Sequence, residues 1–517
     1  MNSSNRQIAR ASAVVMAAFV ASRLMGLLRD VVITAQLGTS DAADAYLAAF
    51  RIPDLIFFLL AGGALASAFI PAFSAYLARD DEAGAWRLTS GVINLLLFST
   101  GLASALAALF APQLVGSVLA PGFSPEKQAM TVPLVRVMLI SPVIFGVSGL
   151  IMGVLNTRGQ FLLPGLAPAA YNLGIILGAA LLTPLPGPFG GPMGAAIGAV
   201  AGAALHFLVQ LPGLFKAGCR YSPVLSLRDE GVRQVLRLMG PRVLGLAVLQ
   251  LNFWVETNLA SHLGSGAVAA LNYAFRLMLL PQGVFAQSVA TAAFPTFASQ
   301  ATRGQKEAMR DSLLATLRAI VFVSLPAAVG LLVLCSPLVA LLFERGQFHV
   351  GSTQIVATAL AWYAPGLVAH SAIEILVRAF YALHDTRTPV AIGVAAMLAN
   401  LALSLLLIGP MGIAGLALAN TIAAYLEMAL LLALIRPRLG GLGGWRTAAS
   451  SGKAGLASLA MGAAVWLFLA ATSSLPSLVR GAGGVVVGAV VYGVAALLLG
   501  AEEVRLVLDM VRRKRKA

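Results

Sequence analysis

Long apolar runs recur along the whole chain, separated by short clusters of Pro, Gly and charged residues. The runs do not alternate with polar positions, so they read as helices rather than barrel strands. Each is close to the 20 or so residues that a helix needs to cross a bilayer. With the Pro, Gly and charge clusters as loop markers, the pattern predicts about 14 spans. They fall near 10–36, 45–76, 88–112, 132–155, 162–183, 192–213, 234–261, 267–298, 312–338, 354–381, 388–408, 411–436, 453–472 and 482–501.

The pattern is also duplicated. LGTSDAADAYLAAFR, ending at Arg51 and followed by FIPAF, resembles LGSGAVAALNYAFR, ending at Arg276 and followed by AFPTF. LNTRGQFLLPGLAPAAYN (155–172) resembles LHDTRTPVAIGVAAMLAN (383–400), with Asn172 and Asn400 in register, and GPMGAAIG (191–198) resembles GPMGIAGL (409–416). Spans 1–6 therefore match spans 7–12. Six is even, so both halves cross the membrane in the same sense, the parallel-repeat plan of secondary transporters. The expected fold is an all-α integral membrane protein with two parallel six-helix repeats. Residues 1–220 form the first bundle and 221–440 the second, and 441–517 add two helices and a basic cytoplasmic tail.

Composition agrees. The chain is 59% hydrophobic and 11% charged, against about 45–50% and about 25% for soluble domains. Its net charge of +15 would suit nucleic acid, but its placement argues for topology. Alternate connections carry Arg6 and Arg10; Arg79 and Arg87; Arg158; Lys216, Arg220, Arg228 and Arg233; Arg303, Lys306 and Arg310; Arg387; and Arg436, Arg438, Arg446 and Lys453. The tail adds Arg505, Arg512, Arg513, Lys514, Arg515 and Lys516, while the opposite connections carry only Lys127, Arg345 and Arg480. The positive-inside rule then puts both termini in the cytoplasm, and nucleic-acid binding is not expected. The two cysteines, Cys219 and Cys335, form no CxxC pair and have no metal spacing, so neither a disulfide nor zinc is expected. The first 30 residues loosely resemble a signal peptide but run straight into Arg23, Arg29 and Asp30, and read as a retained first helix.

Charges inside apolar spans are the candidate chemistry. Arg23 and Arg29 lie in span 1, Arg51 in span 2 and Arg276 in span 8. An arginine at mid-bilayer costs about 2.5–3.5 kcal/mol on insertion scales, so each is a functional-site candidate by default. Guanidinium groups grip phosphate oxygens in bidentate geometry and never deprotonate, which points to an anion site. The competing reading is that they snorkel to the interface or pair with Asp30, Asp44 or Asp54. Candidate acids are Asp44, Glu256, Glu374 (four residues before Arg378 on one helix face) and Glu427. For Glu256 and Glu427 a buried structural or protonated state weighs equally. Pro53, Pro71, Pro281 and Pro295 interrupt spans 2 and 8 and, with Gly62, Gly63 and Gly283, suggest hinged helices. The sequence contains no Walker A, HExxH or GxSxG motif, so it suggests no enzyme and no ATP hydrolysis, and transport would draw on gradients.

The segments SRLMGLLRD (22–30), DAADAYLAAFRIPDL (41–55), SAFIPAF (67–73), APGF (120–123), LNTRGQF (155–161), YAFRLMLLPQG (273–283) and YALHDTRTPV (381–390) resemble the MurJ/MviN family. Its members are lipid II flippases within the multidrug/oligosaccharidyl-lipid/polysaccharide exporter superfamily. The resemblance covers essentially the whole chain. It implies two six-helix bundles around a V-shaped cavity in the bacterial cytoplasmic membrane. The implied cargo is an undecaprenyl-pyrophosphate-linked disaccharide pentapeptide, moved from the inner to the outer leaflet. It implies membrane lipids and cell-wall synthesis proteins as partners and no bound cofactor. The family's essential cavity arginines fall on Arg23, Arg29 and Arg276, its span-2 aspartate on Asp44, and the basic residue before the proline on Arg51. A sodium site in some members would fall near Glu256 and Asn400, but its second acidic ligand is Ser404 here, so sodium and the membrane potential both stand as energy sources. Where many members have an Arg pair and a Glu in span 2, this chain has Phe57, Phe58 and Gly62, and Leu279 replaces a common Glu after RLM. The rival readings are a flippase for another polyprenyl-linked sugar unit, a multidrug cation antiporter, which would want cavity carboxylates, and a non-transporting scaffold or channel.

Overall fold

The computed structural model describes residues 3–223, 229–441, 444–501 and 503, with the side chains of 3–19, 63–67, 238, 240–249 and 444–446 excluded. Arg228 and the basic tail Arg505–Lys516 lie outside the described residues. All regular structure among the described residues is helical. In chain order the helices are α1 (Ser3–Leu37), α2 (Asp41–Ala49), α3 (Arg51–Leu60), α4 (Gly63–Leu77), α5 (Glu82–Leu109), α6 (Ala111–Gln113), α7 (Pro125–Met138) and α8 (Ile140–Thr157). Next come α9 (Leu162–Leu177), α10 (Pro192–Leu208), α11 (Leu211–Lys216), α12 (Glu230–Ala260), α13 (Ala267–Pro281), α14 (Gln287–Thr302) and α15 (Lys306–Val333). The last are α16 (Cys335–Phe343), α17 (Val350–Tyr363), α18 (Gly366–Ala382), α19 (Arg387–Met411), α20 (Ile413–Arg438), α21 (Gly444–Ala471) and α22 (Ser477–Leu498).

Among the described residues, 10 helical segments are long and apolar enough to cross a membrane, or up to 11 if α17 and α18, bent by 50°, form one broken span. The protein is therefore a multi-span helical membrane protein, with fewer segments passing that test than the 14 expected. The expected spans outside that set coincide with α1, α2–α4 and α12, which carry Arg23, Arg29, Asp30, Asp44, Arg51, Asp54 and Glu256. Span 2 is divided into α2, α3 and α4, each shorter than 18 residues, and parts of α1 and α12 lie among the residues whose side chains are not described.

The chain forms two compact units. The first is Met1–Ala269 with Arg345–Phe348, and the second is Ala270–Glu344 with His349–Ala517. Helix α12 begins the second sequence repeat yet packs on α3 and α4. Its Val232, Val235 and Met239 join a core of Phe69, Phe73, Trp86 and Leu150. Helices α9 and α10 approach through glycines: a Cβ on Gly174 or Gly178 would collide with the backbone of Gly202 or Gly198. This spacing of four is the close-contact code of membrane helices. The short loop Arg345–Phe348 belongs to the first unit because the Gln347 N–H donates to Ala35 O at 2.8 Å. Gly38 permits that approach, since its φ of +58° and the nearby Gln347 carbonyl leave no place for a side chain.

In the second unit, α15, α18 and α20 surround a core containing Ile320, Phe380, Leu376 and Leu431. Helices α21 and α22 form a hairpin that packs on α15 and α16, with the Tyr492 hydroxyl donating to Phe322 O at 2.6 Å. Beyond α18, Asp385 accepts from the Arg387 and Thr388 amides, both at 3.0 Å, and pairs with Arg438, whose guanidinium lies 5.0 Å from the Phe380 ring. Partial burial pushes the Asp385 carboxyl up. The Thr388 hydroxyl and amide and the Arg438 charge outweigh this and hold it at about 2. Leu406, Leu459, Trp466, Leu467, Val486 and Leu498 are exposed apolar groups on membrane-crossing helices, as lipid contact requires.

Candidate substrate and coupling residues

Arg23 and Arg29 share α1 and differ in setting. Arg23 is exposed, while Arg29 is 20% exposed at its side chain. Arg29 Nε and Nη2 donate to Asp30 Oδ1 at 3.1 and 2.8 Å, and Nη1 donates to Asn172 Oδ1 at 3.0 Å. The pairing with Asp30 expected as the alternative reading is therefore present. A guanidinium carries five N–H donors, so these three bonds orient Arg29 without saturating it. Asn172, buried on α9, also donates to Ser22 O at 3.4 Å and so ties α9 to α1. In the sequence it stood out only as a repeat marker.

Arg51 is 9% exposed. Its Nε donates to Thr257 Oγ1 at 2.9 Å, its guanidinium lies 5.1 Å from the Phe253 ring centre, and its carbonyl accepts from Trp254 Nε1 at 3.0 Å. One turn of α12 thus holds both ends of this residue. An arginine stacks on an aromatic face while donating at its edge, which a lysine does less well.

Asp44 is fully buried and belongs to another cluster. Lys127, 5% exposed, lies 2.5 Å from Asp44 Oδ2 and 2.8 Å from Asp41 Oδ1, with its ammonium 4.2 Å from the Phe123 ring centre. Its hydrogen bond draws the Asp41 carboxyl below its usual range. Asp44 also accepts from the amides of Gly266 and Ala269, both at 2.7 Å. A carboxylate against the first amides of α13 meets unpaired donors and the positive end of the helix dipole. Asp44 therefore fixes the start of the helix that carries Arg276. Sequence reasoning singled out Asp44 and missed Lys127 as its partner. The available signal was that Lys127 broke the charge asymmetry.

Arg276 lies in the second unit, half-buried, on the uninterrupted part of α13. Glu256 is half-buried on α12 in the first unit, and Asn400 is buried on α19 in the second, one turn before buried Ser404. Arg378 pairs with Glu374 at 3.7 Å, as their spacing predicts, and also donates to Thr291 Oγ1 at 2.9 Å. Span 2 breaks at Phe50 and at Ala61–Gly62, with Pro53 in the first turn of α3. Pro281 ends α13 and is followed by a π-helical turn, Gln282–Ala286, whereas Pro71 and Pro295 sit inside α4 and α14. Among the described residues no group of three or more His, Cys, Asp or Glu is placed to hold a metal ion. An apolar groove of about 390 Å³ in the second unit is lined by Leu314, Leu317, Val368, Met428, Leu432 and Ala448, where α21 meets the bundle.

A family model described as "Lipid II flippase MurJ" matches residues 33–479. The chain belongs to this family. A relative from Burkholderia cenocepacia, named lipid II flippase MurJ, is 33% identical over 81% of this chain and 81% of its own length. One from Haemophilus influenzae, named probable lipid II flippase MurJ, is 31% identical over 93% of this chain and 97% of its own. Among solved structures, a lipid II flippase MurJ in an inward closed conformation aligns with TM-score 0.79 at 26% identity, covering 94% of this chain and 98% of that one. An inward-facing multidrug resistance MATE transporter of the MOP superfamily aligns with TM-score 0.69 at 17% identity over 81% of this chain and 94% of that one, a likeness of fold alone. The relatives are named flippases, and the chain is accordingly a transporter rather than an enzyme.

Proposed function

We propose that this chain flips lipid II from the inner to the outer leaflet of the bacterial cytoplasmic membrane by alternating access, with both termini in the cytoplasm. The observation that carries this reading is a family match over residues 33–479 of a multi-span helical membrane protein, with arginines set in its apolar helices. Arg23, Arg29, Arg51 and Arg276 contact the pyrophosphate. Arg29 suits this task because Asp30 and Asn172 orient it while leaving donors for an anion. Arg51, stacked and hydrogen-bonded, contributes its charge from a fixed position. The apolar groove beside α21 takes a stretch of the polyprenyl tail.

Outward movement of the anionic headgroup is favoured by about 2.3 kcal/mol per charge for each 100 mV of negative-inside potential, so the membrane potential is the first energy source to test. Sodium near Glu256 and Asn400 is the second. Membrane lipids and cell-wall synthesis proteins are the expected surroundings, and no nucleic acid is involved. The test is complementation of a bacterium depleted of its own flippase, read by lipid II exposed on the outer leaflet. Restored exposure supports the reading. Growth without exposure, or build-up of a different polyprenyl-linked sugar on depletion of this chain, overturns it.

A further inference from the structure

Helices α17 and α18 of the second unit meet at a 50° bend across Ala364–Pro365. Proline lacks an N–H and pushes its ring against the preceding turn, so carbonyls near it leave the helical ladder. Side chains of α20 take them up: Thr421 Oγ1 donates to Trp362 O at 2.7 Å, and the Tyr425 hydroxyl donates to Pro365 O at 2.9 Å. Gly366 makes room, since a Cβ there would sit 2.9 Å from Thr421 Oγ1. One turn on, His370 Nε2 lies 3.2 Å from Asn420 Oδ1, and His370 O accepts from Gln282 Nε2 at 3.3 Å. The Phe275 ring meets the imidazole edge-on at 6.0 Å.

The break is already satisfied by hydroxyls, so packing alone does not call for an imidazole there. An ionisable group within a span is a functional candidate. His206 of the first unit is different: it is buried, with Nδ1 2.6 Å from Ser148 Oγ and Gln210 alongside, so it belongs to a closed polar knot. His370 is only half-buried. We propose that His370 is a proton-binding site that couples proton uptake to the geometry of this bent span, an inference that rests on the transport reading above. With Asn420 Oδ1 accepting from Nε2–H, Nδ1 takes the proton from water and later returns it. The imidazolium then lies near the N-terminal end of α18, where the helix dipole disfavours a cation. Neutral His370 suits the bend, and protonation favours a different one.

Charged and titratable groups lie on most of the surrounding helices. Helix α14 and the π-helical turn carry none, α17 carries Tyr363, and α13 carries Tyr273 and Arg276. Helix α15 carries Lys306, Glu307, Arg310, Asp311 and Arg318, and α19 carries Arg387. Helix α20 carries Tyr425, Glu427, Arg436 and Arg438, and α18 itself carries Glu374, Arg378 and Tyr381.

The experiment uses the full chain, labelled at histidine with ¹⁵N and studied in nanodiscs. His370→Gln identifies the His370 signal. We expect that signal to titrate, and its midpoint to rise by about one unit or more in Asn420→Asp, where a carboxylate faces the ring. A ring that stays neutral throughout overturns the proposal. In sealed liposomes with the potential clamped at zero, a pH gradient should change the wild-type flipping rate several-fold, and the ratio with and without the gradient should fall to about one in His370→Gln. An unchanged ratio in that variant, or no gradient effect in the wild type, also overturns it. A chain that does not flip lipid II at all sinks the transport reading instead, and the titration still decides whether His370 binds a proton.

Discussion

Arg51 and Arg276 occupy matching places in the sequence repeat and differ in the folded chain. Arg51 opens a ten-residue helix in a span broken twice, and Thr257, Phe253 and Trp254 hold its two ends. Arg276 is half-buried on the continuous part of a helix whose start is pinned by Asp44. A repeat fixes which residue type recurs, whereas its surroundings come from helices that need not match. In the first unit α12 supplies an aromatic face and a hydroxyl. Arg51 thus has its charge fixed against α12, and Arg276 is carried by a helix anchored through Asp44, so the two can be tested apart.

The sharpest way to break this comparison is Arg276→Ala. Losing one partner of a hydrogen-bonded charge pair costs about 2–5 kcal/mol, so lipid II flipping should fall by about 100-fold or more with the melting temperature nearly unchanged. Arg276→Lys should recover only part, because an ammonium lacks the bidentate fork. A large loss of thermal stability in Arg276→Ala would make this residue a second structural arginine and erase the contrast.

Asp44→Ala comes next. It leaves the buried Lys127 ammonium without Asp44 and strips the first turn of α13 of its acceptor. Breaking a buried pair destabilises by about 3–5 kcal/mol. Unfolding followed in detergent should show that loss, with flipping reduced because the helix bearing Arg276 is no longer fixed. Lys127→Ala should behave similarly, and a Lys127→Ala protein as stable as wild type would contradict the role assigned to the pair.

Thr257→Val tests the other arginine. It removes the hydroxyl that accepts from Arg51 and should cost about 1.5–3 kcal/mol, with a smaller effect on flipping than Arg276→Ala. If it abolishes flipping and leaves stability intact, Arg51 and Arg276 do the same work after all. The smallest effect is expected at Asp385, a lock remote in sequence from both arginines. Its folded carboxyl sits at about 2, against about 4 in an unfolded chain. Its contribution is complete above pH 4 or so and is lost as pH falls through about 2. At neutral pH, Asp385→Asn should cost about 1 kcal/mol or less, measurable as faster amide exchange at Arg387 and Thr388.

The helical membrane class was legible in the sequence because it depends on composition and spacing within one segment. The family resemblance was legible for the same reason. The Lys127–Asp44 pair was not, since its members are 83 residues apart and no periodicity links them. Its trace was the basic residue on the wrong side of the charge map. Asn172 was visible as a repeat position, but its bond to Arg29 depends on the glycine-rich packing that sets α9 in place. The packing of α12 with the first unit was hidden because the repeat begins there, while the chain folds by contact rather than by ancestry. The bend at Pro365 was also missed: the prolines singled out were those of spans 2 and 8, and span 10 read as one continuous apolar run.

The most direct measurement is lipid II translocation by the purified full chain in sealed liposomes, scored by access of an external lipid II-modifying enzyme, with an applied membrane potential and Arg276→Ala alongside. We expect translocation by the wild type, acceleration by the potential and a collapse in the variant. Equal translocation by wild type and Arg276→Ala, or none by the wild type, would contradict the claim that this chain moves lipid II by holding its pyrophosphate on intramembrane arginines.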